Sequence, residues 1–570
     1  MKKKALTKVL ALAMTIAMAG SMIGCGNDAG TGSSTPESPA ESSGEEQGGA
    51  ESTPEESGEE VPEESGEENS EEAGGEEAGG EEASADQPLP EWEAYDCNGA
   101  TIRIAAEQIF DSTLEADKDD PAKSANYEKK WEYLHALEEK YNCKFEMVTL
   151  ENSQGVDEGE AILNGFTNGL GYADIFMKGP GTMLQIRNFL ATVEDRDKLK
   201  MGSAFIDAAS WNGVDYGFTY DNIGECFVLC YNREYLKSVG MEKTPGDMFK
   251  EGKWSYEDAK TYLTELQSKL PAGSYAIGLA PSHYAFMAGG TNGVMGISPD
   301  GEINLDDERY IAALNFYKDL QAAQVAPPIT GYSEGPDNTL VEDEGNVSMP
   351  YNLDDMCGYA GANTHVLANV QNWQHVDPAG SKMGTTVDWG IVPYPWGPEC
   401  EVTGFDENGL PILSNYFVAR VDFTNVLVSG AEYRGEGSKD IPDWVLFQIV
   451  REYEDMRSVS STTPAGMTPG SGSGQAWINA YTAEKNGQPA GNVNFSPDDM
   501  KQFTQEEDWQ IWNWLSSNVK IDYCKALSDA GYVPFSRNGY FVIAVGKDAK
   551  ASGEAIKAMG EATLKDQGLK

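Results

Sequence analysis

Histidine is scarce in this chain, four in 570 residues, and cations are outnumbered by acids, 41 Lys and Arg against 93 Asp and Glu. The first shortage leaves His135, His283, His365 and His375 without metal-ligand spacing, so no structural zinc site is expected. The second gives a formal net charge of −52. It excludes a nucleic-acid or anionic-lipid surface, because phosphate contacts need clustered Lys and Arg. The eight cysteines form no CxxC pair. HExxH and P-loop patterns are missing, and the glycine run at 470–474 lacks the order and the preceding strand of a phosphate cradle. No cofactor is expected. Paired carboxylates suited to glycoside hydrolysis arise by chance among so many acids and identify nothing by themselves.

No apolar run reaches the ~20 residues of a spanning helix. What stands at the start is shorter: Lys2, Lys3, Lys4 and Lys8, then 12 residues from Val9 to Gly20, "VLALAMTIAMAG". That is the layout of a cleaved signal peptide, residues 1–24. Met22-Ile23-Gly24-Cys25 resembles the bacterial lipobox, which implies that Cys25 is acylated and becomes the new N-terminus. Two or more acyl chains hold a protein stably on a bilayer. The expected location is therefore the extracellular face of the cell membrane, lipid-anchored.

From Gly26 to Pro90 there are 21 acidic residues and no Lys or Arg. "PEESGEE" and "EEAGG" each occur twice, and nothing in the stretch can form a core. Residues 25–90 read as a disordered acidic spacer, about 45 Å end to end on the square-root rule and longer through self-repulsion.

With the four leading lysines and the 21 spacer acids set aside, Glu91 to Lys570 carries −35. This is length enough for two lobes. Seven cysteines remain, at 97, 143, 226, 230, 357, 400 and 524; an odd count without close pairs argues for buried free thiols. "TIRIAAE" reads as a strand, and Tyr127, Trp131, Leu134, Leu137 and Tyr141 recur at helical spacing. A strand follows at Cys143 to Leu150, a helix at Glu158 to Thr167 and a strand at "ADIFM", Ala173 to Met177. Such alternation predicts an α/β fold with a parallel sheet covered on both faces. In such sheets ligands bind at the carboxyl ends of strands. That places Glu107 and Gln108, and the loop Lys178 to Thr182, near a mouth.

The most specific stretch runs from Trp211 to Gln267. Asn212-Gly213, Tyr216-Gly217, Tyr231-Asn232, Val239-Gly240, Pro245 and Trp254 with Glu257, Ala259 and Leu263 follow one another there. Ser255 is placed as a helix N-cap. This order resembles family 1 extracellular solute-binding proteins, the capture subunits of ABC importers. "FTNGLGYADIF", the Gly289-Gly290 segment with the helix after it, "EDEGNVSMPYN" and "DWGIVPYPWGPE" keep the same order. The likeness covers roughly Thr101 to Met456.

The resemblance implies a periplasmic-binding-protein-like fold, two α/β lobes joined by crossing hinge strands. Crossings are expected near Asp221 to Cys226 and near Trp389 to Pro393. This divides the body into 91–220 and 390–456 for the first lobe, and 221–389 and 457–570 for the second. Carried over position by position, the resemblance puts ligand contacts at Lys178, Tyr220, Asp221 and Asn222, and at Tyr284, Phe286, Tyr351, Asn352 and Asp354. It implies a small-molecule solute, an oligosaccharide by preference, and ABC permease subunits as partners. The alternatives are a cationic solute, such as a polyamine or quaternary amine, a surface glycoside hydrolase, or a wall-bound adhesin.

Overall fold

Strand–helix alternation after Glu91 is realised in two separate sheets. The computed structural model describes residues 88–105, 124–148, 158–169, 171–220, 228–278, 281–326, 332–334, 340–342, 365–370, 388–421, 423–458, 474–487, 505–532 and 548–570. The signal-like segment, the spacer with Cys25, Cys226 and Cys357 lie outside the described residues.

The first sheet has the order β2-β1-β3-β16-β6. β1 (Ala100–Ala105) pairs in parallel with β2 (Cys143–Met147) on one side and β3 (Ile175–Lys178) on the other. Parallel neighbours need a crossover between them. Here α1 (Ser124–Tyr141) and α2 (Glu158–Thr167) supply the two. Leu134, Leu137 and Tyr141 of α1 are buried, the spacing that one helix face requires. The other half of the sheet is antiparallel. β16 (Asn425–Val428) lies between β3 and β6 (Gly217–Thr219) and runs against both. A Cβ at Gly217 would sit 2.0 Å from the Val426 carbonyl oxygen, so only glycine fits. Ahead of β6, β4 (Ser210–Trp211) and β5 (Val214–Asp215) form a hairpin. Its two turn residues, Asn212 and Gly213, have φ of 50° and 72°, the twist-matched turn that Asn-Gly favours.

The second sheet has the order β12-β7-β11-β8. β7 (Val228–Asn232) is central, antiparallel to β11 (His365–Val370) and β12 (Trp389–Val392), while β8 (Tyr275–Gly278) runs parallel to β11. Helix α3 (Pro180–Ile186) follows β3 in the first sheet; α4 (Tyr256–Lys269), α5 (Pro281–Met287) and α6 (Glu308–Ala322) flank the second. Ser255 caps α4 as expected, accepting from the Asp258 amide in a capping box. Smaller pairs are β9 (Tyr332–Glu334) with β10 (Leu340–Glu342), β13 (Val402–Phe405) with β14 (Pro411–Leu413), and β15 (Val418–Arg420) with β17 (Val519–Ile521).

Strand β12 changes the expected path. Ile391 pairs with Cys230 of β7, so the chain does not return to the first sheet near Trp389 to Pro393. It returns between Arg420 and Asn425, where β15 ends and β16 begins. Gly390 explains the placement: its bare Cα lets the Tyr231 ring lie where a Cβ would be 2.3 Å from it. The next crossing is also later than 457. α7 (Asp443–Ser458) and α8 (Gly474–Lys485) both pack with the first sheet, where Trp477 meets Phe205 and Phe218 at 6.2 and 5.4 Å. The last glycine of the 470–474 run starts α8, pressed against Asp455. α9 (Glu506–Ser517) is back beside β12, with the Asp508 carboxylate accepting from the Ile391 amide at 3.1 Å. α10 (Cys524–Asp529) and α11 (Ala549–Asp566) complete the chain. Cys97, Cys143 and Cys400 are buried free thiols, and Cys230 and Cys524 are buried as well. Burial pushes the Cys143 and Cys400 thiols up to about 12.

Candidate functional site

Strand direction defines a mouth. β1, β3 and β6 are mutually parallel, so their carboxyl ends share one edge of the first sheet, where Lys178 and Thr219 both pair with Asn425. In the second sheet Val228, the first residue of β7, pairs with Val370, the last of β11. Val392, the last of β12, pairs with Leu229. The segment that leaves Thr219 for Val228 therefore passes from the carboxyl edge of one sheet to the carboxyl edge of the other. Such edges are where open α/β sheets take ligands.

The structure brings two of the sequence-predicted residues, Lys178 and Tyr220, to this edge. Lys178 ends β3 and is partly buried. Glu107 and Gln108 follow the end of β1 by two and three residues, outside the described residues. Tyr220 follows β6: its amide donates to the Thr424 carbonyl at 2.9 Å, and its hydroxyl accepts from Arg457 Nη1 at 2.8 Å. Arg457 also donates to Glu454 Oε1 at 2.7 Å. Burial works against the Arg457 charge, but Glu454 and Tyr220 outweigh it and hold the guanidinium above its ordinary range. Asp221, Asn222, Tyr351, Asn352 and Asp354 lie outside the described residues. Tyr284 and Phe286 sit in α5, 1% and 5% exposed. The Tyr284 hydroxyl donates to the Ala313 carbonyl at 2.8 Å, and its ring lies 5.4 Å from Tyr317. Both side chains are buried in the hydrophobic core.

Sequence reading missed the ties between the two sheets. Tyr523 donates its amide to the Ile297 carbonyl at 2.9 Å, on the second-sheet side. Its hydroxyl donates to the Ser210 carbonyl at 2.6 Å, on the first-sheet side. Beside it the Asp522 carboxylate accepts from the amides of Gly296, Ile297 and Cys524 at 2.6, 3.2 and 2.9 Å. Complete burial pushes Asp522 up to about 6 against those three donors. α10 lies on α3, with Gln185 Nε2 donating to the Ala530 carbonyl at 2.8 Å. The only sequence cue to this cluster is an apolar-acid-aromatic run, Ile521 to Tyr523, which resembles many others in the chain.

No family model matches this chain, and no curated protein matches it. Solved structures do. The cyclic alpha-maltosyl-1,6-maltose binding protein from Arthrobacter globiformis superposes with a TM-score of 0.48 at 11% identity, covering 82% of this chain and 99% of that one. The galacto-N-biose/lacto-N-biose I-binding protein of the ABC transporter from Bifidobacterium longum, in complex with lacto-N-biose, gives 0.47 at 12%, covering 82% and 98%. UgpB from Mycobacterium tuberculosis, in complex with glycerophosphocholine, gives 0.45 at 14%, covering 78% and 97%.

Proposed function

We propose that this chain is the extracellular solute-binding subunit of an ABC importer. Held on the cell membrane through Cys25, it captures a neutral oligosaccharide between its two sheets and delivers it to a permease without turnover. The observation that carries this reading is the mouth: two α/β sheets present carboxyl strand ends to the segments that pass between them. The ordered motifs from Trp211 to Gln267 support it independently. A hinge there lets the two sheets close around a solute, as periplasmic binding proteins do.

The −35 charge of the body favours a neutral ligand over an anion, which would meet an unfavourable long-range potential. It also keeps a cationic solute as the second reading, held by acidic and aromatic side chains together. Salt separates the two. Ion-pair attraction in an open cleft weakens as the Debye length falls from about 10 Å at 0.1 M to about 3 Å at 1 M, while stacking and neutral hydrogen bonds change little. The test is a thermal-shift panel of neutral oligosaccharides, polyamines and quaternary amines at both salt levels, with product analysis of each stabilising sugar. At least one oligosaccharide is expected to raise the melting temperature by linkage, in both salts and without being cleaved. Stabilisation by amines alone, lost in high salt, overturns the sugar assignment; cleavage of the sugar overturns the capture role.

A further inference from the structure

A second concavity of about 370 Å³ lies at the other edge of the first sheet. It opens beside the residues that follow Val428, which pairs with Ile175 at the start of β3. The mouth begins at the opposite end of these strands, at Lys178 and Asn425. The concavity is floored by Leu199 and Phe447, 2% and 1% exposed. Its volume falls within the range of small-molecule sites.

Two features fix its chemistry. The first is Trp444, a partly buried ring in the wall. Tyr95 packs edge-on against it at 6.0 Å and 82°, and the Lys198 ammonium stands over it at 5.4 Å. Lys198 is an exposed side chain, so the ring already seats a cation that solvent can reach. The second is the balance of the rim: Glu194, Asp195, Asp440 and Asp443 against Lys198 and Lys439, a formal surplus of negative charge. Asp195 spends one oxygen on the Asp197 amide at 3.1 Å, and Asp443 pairs with Arg434. Carboxylates make the lining rich in acceptors, whereas a sugar needs donors and acceptors interleaved. A ligand that brings donors and positive charge, and an apolar body for the floor, matches ring and rim together.

We infer that this concavity is a second ligand site, for a small organic ammonium with an apolar body, with Trp444 as its seat and Lys198 as an internal competitor for the ring. It stands apart from the mouth and does not depend on what the mouth binds.

The experiment titrates the full chain with choline and with 1,5-diaminopentane, using glucose and acetate as controls, by calorimetry and tryptophan fluorescence. Saturable binding of at least one ammonium is expected, weakened about tenfold or more by Trp444→Ala, the loss of ring and floor contact together. Glu194→Gln and Asp440→Asn, both surface changes that leave the core intact, each weaken it by about two- to fivefold. Lys198→Ala strengthens it by more than Lys439→Ala does, because both remove one positive charge but only the first vacates the ring. The inference is overturned if neither ammonium saturates, or if binding is indifferent to the two carboxylate changes. It is also overturned if Lys198→Ala and Lys439→Ala act equally, or if glucose binds there in the amines' place.

Discussion

The indole Nε1 of Trp211 donates to the carbonyl oxygen of Leu569 at 2.9 Å, joining the β4–β5 hairpin to the far end of the chain. Asn212 Nδ2 reaches the same oxygen at 2.6 Å. The helix before Leu569, α11, is anchored on the second-sheet side, where Lys557 meets Asp306 at 2.8 Å. Trp211→Phe removes one of two donors and is expected to cost about 1 kcal/mol. Deleting residues 569–570 strands the buried indole N–H and removes a fully buried leucine, for about 2–4 kcal/mol. Urea midpoints should fall in that order; equal midpoints for the two variants would refute the account.

Trp92 sets where the folded body begins. Its indole donates to Asp455 Oδ2 at 2.7 Å, its carbonyl accepts from Lys140 Nζ at 2.7 Å, and the Arg451 guanidinium lies 5.6 Å from its ring. Trimming residues 1–90 should leave the melting curve unchanged, since the acidic stretch has no apolar surface to contribute. Trp92→Ala should cost about 2 kcal/mol, the loss of a hydrogen bond to a buried carboxylate. A melting temperature that drops on the first change and not on the second contradicts this boundary.

Asp522 carries a pH signature. Its folded pKa, pushed up to about 6 from an ordinary 3.8, means that the folded state holds a proton the unfolded state has released between those values. Its contribution is therefore fully present below about pH 4 and is lost as pH rises through about 6. Asp522→Asn cannot serve the three amide donors as a carboxyl does and destabilises at every pH. The gap between wild type and variant should narrow from pH 4 to pH 7, by up to about 3 kcal/mol. A gap that widens with pH overturns the assignment.

Cys25→Ala should release the protein from membranes or leave it unprocessed. Metabolic labelling with a fatty-acid analogue checks this; equal labelling of wild type and variant removes the lipid anchor from the proposal.

Local signals carried much of the fold. Helix α2 begins and ends where its periodicity placed it, at Glu158 and Thr167, and "DIF" leads into β3. Asn212-Gly213 and Ser255 were readable because their backbone geometry depends on neighbours alone. What was not readable is the non-local pairing. Nothing in "NVLV", Asn425 to Val428, says that it runs antiparallel between β3 and β6, and the apolar strand β12 fits either sheet equally well by composition. The candidate site residues divide by the same rule. Lys178 could be placed from a strand end and Tyr220 through the resemblance alone, whereas the burial of Tyr284 follows from Ala313, Tyr317 and Tyr394, which meet it only in three dimensions.

The insertion of β16 also sets a timetable. A chain that emerges N-terminus first presents β1, β2 and β3 long before Asn425 exists, and among the described residues β6 pairs in the first sheet with β16 alone. For about 250 residues of synthesis one edge of β3 stays open, and long-range pairing of this kind is slow to form. An open edge invites pairing with other chains. On the proposed extracellular role, the same delay would keep the early part of the chain loose enough to be threaded through a membrane before it sets, so late arrival of one short strand suits an exported protein as well as a stable final fold.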